Sequence, residues 1–133
     1  MTTAVLIVAA GTGTRAGGGV AKQWRPLASK RVIDWTIAAF QEAGVDLIMV
    51  VRDPDNPDAA QALAKHKDIL LAEGGADRST SVRNGLTQLD KMNVDKVMIH
   101  DAARPCVPAR LIKEVLRALD TAPAAAPGLA VTD

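Results

Sequence analysis

The sequence predicts an α/β fold on a mostly parallel sheet, and three observations carry that prediction. Short apolar runs alternate with segments of helical periodicity along the 133 residues. The spacing between runs leaves room for a helix each time, the pattern of β-α-β units. Three chemically loaded segments, residues 11–22, 74–81 and 100–105, directly follow such runs, where open parallel sheets bind their ligands.

The elements follow in order. Ala4 to Ala9 is an apolar run suited to a buried strand. From Val32 to Ala43, Ile33, Ile37 and Phe40 fall on one helical face, and Gly44 stops the helix. Asp46 to Val51 gives a second strand. The turn at residues 53–57 ends in Pro57, which opens a helix over Asp58 to Lys67. Ile69 to Ala72 is a third strand. Val82, Leu86 and Leu89 place a helix over Ser79 to Leu89, and Asp95 to His100 forms a fourth strand. Arg110 to Leu119 is a helix with Leu111, Ile112, Val115, Leu116 and Leu119 toward the core. Ala124 to Val131 reads as a fifth strand that has only begun, so the sheet is expected to stop there. No repeat or linker divides the chain.

Composition narrows the function. Hydrophobic residues make up 48% of the chain, enough for a core, and the aromatics are Trp24, Trp35 and Phe40 alone. A net charge of +1 without a basic block argues against nucleic-acid binding. The single Cys106 makes no internal disulfide and fits a reducing compartment. Residues 1–3 lack a positive leader, and the next apolar run is too short to span a membrane. These features predict a soluble, cytoplasmic protein.

The segment Ala9-Ala10-Gly11-Thr12-Gly13-Thr14-Arg15, with Gly17 to Gly19 and then Lys22, points to a polyphosphate ligand. Small residues let backbone N–H groups approach an anion, and Arg15 and Lys22 add positive charge with little bulk nearby. The dinucleotide fingerprint does not fit: the third glycine comes one position late, and no acid follows at the ribose distance. A Walker loop is absent. Gln23 to Leu27 is apolar enough to anchor the loop, while Arg25, Lys30 and Arg31 read as solvated surface.

Asp101, after the fourth strand, suits a ribose hydroxyl or a phosphate-bound Mg²⁺. Arg104 suits a phosphate in fork geometry. A plain Asp101–Arg104 ion pair is the competing reading. His100 either tunes the site or is a hydrogen-bonded structural histidine, and no spacing resembles a zinc site. Between Gly74 and Val82, free N–H groups and the hydroxyls of Ser79, Thr80 and Ser81 offer contacts to a base or phosphate. Simple N-capping by Asp77 or Ser79 explains the same residues.

Taken together, A-A-G-x-G-x-R at Ala9 to Arg15, Lys22-Gln23, G-G-x-x-R-x-x-S-V at Gly74 to Val82 with Asn84-Gly85-Leu86, and H-D-A-A-R-P at His100 to Pro105 resemble the 2-C-methyl-D-erythritol 4-phosphate cytidylyltransferases of the non-mevalonate isoprenoid pathway. The resemblance implies a Rossmann-like nucleotidyltransferase fold with helices on both faces of the sheet. It implies transfer of CMP from CTP to a small polyol phosphate, with Mg²⁺ and release of pyrophosphate. Arg15 and Lys22 match the cations assigned to the transition state, and Ala9, Ala10, Gly11, Thr12 and Gly13 the cradle for the CTP phosphates. Gly75 and Ser81 match positions near the cytosine, Asp101 the acid near ribose and metal, and Arg104 the arginine near the substrate phosphate.

Two residues depart from the pattern: Ala21 stands where proline often precedes the lysine, and Ala76 where an acid often sits. Family members are longer by roughly a hundred residues, so residues 1–133 are expected to be the nucleotide-binding part of a longer domain. That part is expected to bind CTP weakly without useful turnover alone. A homodimer, and in some bacteria a downstream cyclodiphosphate synthase domain, come with the resemblance. The rivals are a ribitol-phosphate cytidylyltransferase, a CTP-binding fragment without catalysis and, more distantly, a nicotinamide-dependent dehydrogenase.

Overall fold

The structure is a computed structural model that describes residues 1–12 and 19–131. Four parallel strands form the main sheet: β1 (Thr3–Val8), β4 (Leu47–Arg52), β5 (Leu70–Glu73) and β6 (Lys96–Asp101), in the spatial order β5-β4-β1-β6. A short antiparallel pair, β2 (Pro26–Leu27) and β3 (Lys30–Arg31), lies apart from it. The helices are α1 (Val32–Glu42), α2 (Pro57–Leu63), α3 (Arg78–Asp90) and α4 (Ala109–Ala118).

Alternation along β1 divides its side chains between two cores. Val5, Ile7 and Ala9 join Ile33, Ile37 and Phe40 of α1, Ala59, Ala62 and Leu63 of α2, and Ile112 of α4. Ala4 and Leu6 face the other way, with Met49, Val51, Ala72 and Leu89 of α3. Helices therefore cover both faces, as expected, and the side-chain period of two decides which residue serves which core. Gly85 lets α3 approach closely: a Cβ there would lie 2.2 Å from Leu6 Cδ1.

The predicted elements fall within a few residues of those found, with three informative differences. The helix expected to reach Lys67 ends at Leu63, because the chain turns so that Lys65 and His66 reach Asp34 of α1, at 2.8 and 2.6 Å. Of the five residues expected to face the core from this helix, only Ile112 is buried; α4 packs against α1, Lys96 of β6 donates to its Leu116 carbonyl at 2.9 Å, and the other apolar side chains are half covered. The expected fifth strand over Ala124 to Val131 does not form. Pro123 and Pro127 bring no N–H to a ladder, and Leu129 and Val131 are 96% and 97% exposed, so apolar content without a partner or a packing face makes no strand here.

The sheet order positions the site. The first strand of the chain lies inside, β4 and β5 run to one side of it, and β6 lies on the other, so the direction of winding reverses between β1 and β6. Ligands of open parallel sheets bind beyond the strand ends at that reversal. Val8 of β1 sits level with Asp101 of β6, and Arg52 level with Glu73. The loops that leave these ends consequently share one rim.

Candidate active site

A cleft of about 720 Å³ opens at this rim. It is lined by Ala10, Gly11 and Thr12 after β1, by Lys22 and Gln23, by Gly74 to Arg78 before and at the start of α3, and by Asp101 at the end of β6. Three segments distant in sequence thus meet as anticipated. Asp53 also borders the cleft.

The loop after β1 begins with Ala9, which is buried in the core and donates its N–H to the Val51 carbonyl. Ala9 therefore supports the cleft from beneath, while Gly11 and Thr12 are exposed in it. Gly13 and Arg15, expected in the phosphate cradle and at the transition state, lie outside the described residues. Lys22 opens a single 3₁₀ turn, Lys22–Trp24, anchored by the buried Trp24 in the core against α1 and α2. The turn places the exposed Lys22 on the cleft wall. The apolar anchor expected after Lys22 is this tryptophan.

The neighbouring basic residues are tied into structure more than their sequence suggests. Arg25 donates from Nε to the Val20 carbonyl at 2.6 Å, and Lys30 lies 4.9 Å above the Trp35 ring. Arg31 donates from Nη1 to the Trp24 carbonyl.

On the opposite wall, Asp77 is the N-cap of α3 and accepts from the Thr80 N–H at 2.7 Å. That bond holds its carboxyl below the usual range. Ser81 is buried; its hydroxyl accepts from the Gly75 N–H at 3.0 Å and donates to the Asp77 carbonyl at 2.9 Å. Ser81 thus fixes the shape of the loop that carries Gly75. Gly74 is required by contact across the cleft floor, since a Cβ there would lie 2.3 Å from the Ala10 Cβ. At Gly75 a Cβ would strike Thr80 at 2.3 Å.

Asp101 lies between two arginines: Arg78 Nη2 at 3.0 Å from one oxygen and Arg104 Nε at 3.2 Å from the other. Burial raises its pKa, and the two guanidinium groups outweigh that, so the carboxyl stays below its ordinary range and is ionised near neutrality. The ion pair with Arg104 weighed against a ligand role is therefore present, and so is the position on the cleft. Arg104 itself is exposed and is not among the described residues that line the cleft. His100 has a structural setting: its Nε2–H donates to the Arg104 carbonyl at 2.8 Å, and its ring packs edge-on against Phe40 with centroids 5.0 Å apart.

Among the described residues no cluster of three or more His, Cys, Asp or Glu could hold a metal by protein ligands alone. Asp101 offers a single ionised carboxylate at the cleft. That fits a Mg²⁺ whose other ligands are phosphate oxygens and water, the usual way this ion is held in phosphoryl-transfer sites. No helix among the described residues is long and apolar enough to cross a membrane.

Sequence reasoning missed the second arginine on Asp101, Arg78, and the structural use of Gln23. Both stand inside recognised motifs, yet their partners lie on other elements. Asp53, in a turn rich in Asp and Pro, carried no signal beyond its place after a strand.

Comparison with known proteins agrees with this geometry. The family model "IspD: 2-C-methyl-D-erythritol 4-phosphate cytidylyltransferase" matches residues 3–133. The bifunctional enzyme IspD/IspF of Ruegeria sp. (strain TM1040) is 68% identical over 133 residues, covering all of this chain and 35% of that protein. A 2-C-methyl-D-erythritol 4-phosphate cytidylyltransferase of Cereibacter sphaeroides (strain ATCC 17023) is 50% identical, and the match covers all of this chain and 60% of that one. A crystal structure of a 4-diphosphocytidyl-2C-methyl-D-erythritol synthase superposes with a TM-score of 0.76 at 27% identity, over 91% of this chain and 55% of the other. The chain therefore spans between about a third and three fifths of the relatives it matches.

Proposed function

We propose that the chain, which belongs to the 2-C-methyl-D-erythritol 4-phosphate cytidylyltransferase family over residues 3–133, supplies the nucleotide side of an enzyme that transfers CMP from CTP to 2-C-methyl-D-erythritol 4-phosphate. The observation that carries the reading is the meeting of the loop after β1, Lys22, the start of α3 and Asp101 in one cleft at the winding reversal of the sheet.

In this reaction an oxygen of the substrate phosphate attacks the α-phosphorus of CTP. The bond from that phosphorus to the bridging oxygen of the β-phosphate breaks, and pyrophosphate leaves with the bonding pair. The attacking phosphate is anionic at neutral pH, so no general base is needed; the demands are charge neutralisation and in-line positioning. Backbone N–H groups of the loop after β1 hold the phosphates, and the Lys22 ammonium stabilises charge developing on the equatorial and leaving oxygens. Arg15 is proposed to join Lys22 in that role. The loop over Gly74 to Asp77, held by Ser81, takes the cytosine, and Arg104, paired with Asp101, is assigned to the incoming phosphate. Asp101 takes the ribose or a Mg²⁺. Bound Mg²⁺ would supply further neutralisation of phosphate charge.

Relatives of the bifunctional kind support a downstream cyclodiphosphate synthase domain in the complete gene product, and a dimer and cytoplasmic location are proposed with it. Pyrophosphate release tests the reading, measured on the complete gene product with CTP and either 2-C-methyl-D-erythritol 4-phosphate or ribitol 5-phosphate. Release that depends on the methylerythritol substrate is expected. Preference for ribitol phosphate would assign the rival substrate, and CTP binding without release would leave a binding module.

A further inference from the structure

Gln23 is an amide in an unusual place. It is 6% exposed, beside a cleft, on a turn whose neighbour Trp24 is locked in the core. Its Nε2 donates to two backbone carbonyls of the loop after β1: Ala9 at 3.1 Å and Gly11 at 3.0 Å. A primary amide meets both demands without a charge, because its two N–H bonds leave one nitrogen in a fork and two carbonyl oxygens need two donors. A glutamate there would set a carboxylate against the same two oxygens.

The consequence for the loop follows from peptide geometry. In a planar trans peptide the carbonyl of one residue and the N–H of the next point in opposite directions. Tying the Ala9 carbonyl to Gln23 therefore turns the Ala10 N–H away from Gln23. Tying the Gly11 carbonyl does the same for the Thr12 N–H. Ala9 spends its own N–H on Val51, but the N–H groups of Ala10, Gly11 and Thr12 have no acceptor among the described residues. They are left for a ligand on the exposed side of the loop, where Gly11 and Thr12 face the cleft.

We propose that Gln23 is a positioning residue that orients the Ala10 and Thr12 N–H groups toward the nucleotide phosphates, by holding the Ala9 and Gly11 carbonyls back. The same short turn carries Lys22, so one anchored unit sets the direction of the backbone donors and the place of the cation. The assignment rests on the nucleotide reading given above, which the experiment can separate from it.

The test compares wild type with Gln23→Met, which keeps length and bulk but donates nothing, and Gln23→Glu. Amide NMR of the ligand-free chain reads the loop directly. The Ala10, Gly11 and Thr12 amide resonances are expected to shift or broaden in both variants, while those of β4 stay in place. Titrations with CTP and with cytidine then read the ligand. CTP affinity is expected to fall roughly 10- to 100-fold with two hydrogen bonds lost, and cytidine affinity to hold, because cytidine has no phosphate to cradle. Unmoved loop amides overturn the proposal. So do equal losses for CTP and cytidine, or unfolding of both variants at the assay temperature, since either makes Gln23 a core residue only. If wild type binds no CTP while the variants still displace the loop amides, the nucleotide reading fails and the local role of Gln23 stands.

Discussion

Gly74→Ala is expected to damage the fold and the site through a single contact. The added Cβ would lie 2.3 Å from the Ala10 Cβ, 3.3 Å from Ser81 Oγ and 3.5 Å from the Arg52 carbonyl. Carbon atoms pack at ~3.5–4.0 Å, so the Ala10 contact is short by roughly 1.2 Å or more. Rotamers offer no relief, since both atoms are first carbons fixed to the backbone. The backbone after β1 and the backbone after β5 must move apart. The move is resisted by the Gly74 N–H bond to the Arg52 carbonyl at 2.8 Å and by the Ala9 N–H bond to Val51 at 2.8 Å. Overpacking of this kind costs about 1–3 kcal/mol. The same displacement separates the phosphate loop from the α3 loop, and a misplacement of about 1 Å can cost roughly 10²-fold in rate. Thermal denaturation and CTP titration of the same preparation check both halves. A variant that melts like wild type and binds CTP with wild-type affinity would refute the reasoning, because it would show that the two walls are not in contact.

Gly11→Ala gives the opposite pattern: no described atom lies within 4 Å of its Cβ position, so melting should stay near wild type while CTP titration shows weakened binding, as the methyl group occupies space a phosphate needs. Lys22→Ala should lower kcat by roughly 10²–10³ with a smaller change in KM for CTP, measured by steady-state pyrophosphate release on the complete gene product. Asp34→Ala should destabilise the fold by about 1–3 kcal/mol in denaturant titration, because it leaves the His66 ring and the Arg31 N–H without their acceptor. The same group predicts acid sensitivity. Burial raises the Asp34 pKa, but bonds from Lys65, His66 and the Arg31 N–H outweigh that and bring it below the ordinary 3.8. A depressed carboxyl contributes stability above its unfolded pKa and loses it as pH falls through the folded one. Wild type should therefore lose more stability than Asp34→Ala on acidification below about pH 4.

The parallel sheet and the meeting of three loops were legible because they depend on local periodicity and on a rule about strand ends. Ile33, Ile37 and Phe40 announce α1 by spacing alone, and all three are buried as read. What could not be read depends on contacts between elements. Lys65 and His66 fit a continuing helix until Asp34 is known to lie within reach. Leu111, Val115 and Leu119 carry the period of a core helix, but period does not tell that these side chains stay half covered. Ala124 to Val131 shows the reverse failure, since apolarity marks a segment that wants a partner and cannot supply one. In the site, the motifs located Gln23 and Arg78 without revealing that one serves backbone carbonyls and the other a carboxylate on β6.

The two cores explain why the cleft depends on a seam. Lys22 and Gln23 are carried by the core that includes Trp24, Ile33 and Ala59. The α3 loop is carried by the other core, through Leu89 and the close approach at Gly85. The sheet joins them, and β1 contributes alternate residues to each. At the rim the joining contacts are few: Gly74 against Ala10, and the Arg78 bond across to Asp101. The second is an exposed pair, worth little to stability in water. At the rim the Gly74–Ala10 contact therefore acts beside the Gly74 N–H bond to the Arg52 carbonyl in setting the two walls. It follows that perturbing this contact should cost the site more than weakening either core from a distance, which is why a single methyl group at Gly74 is the sharper probe.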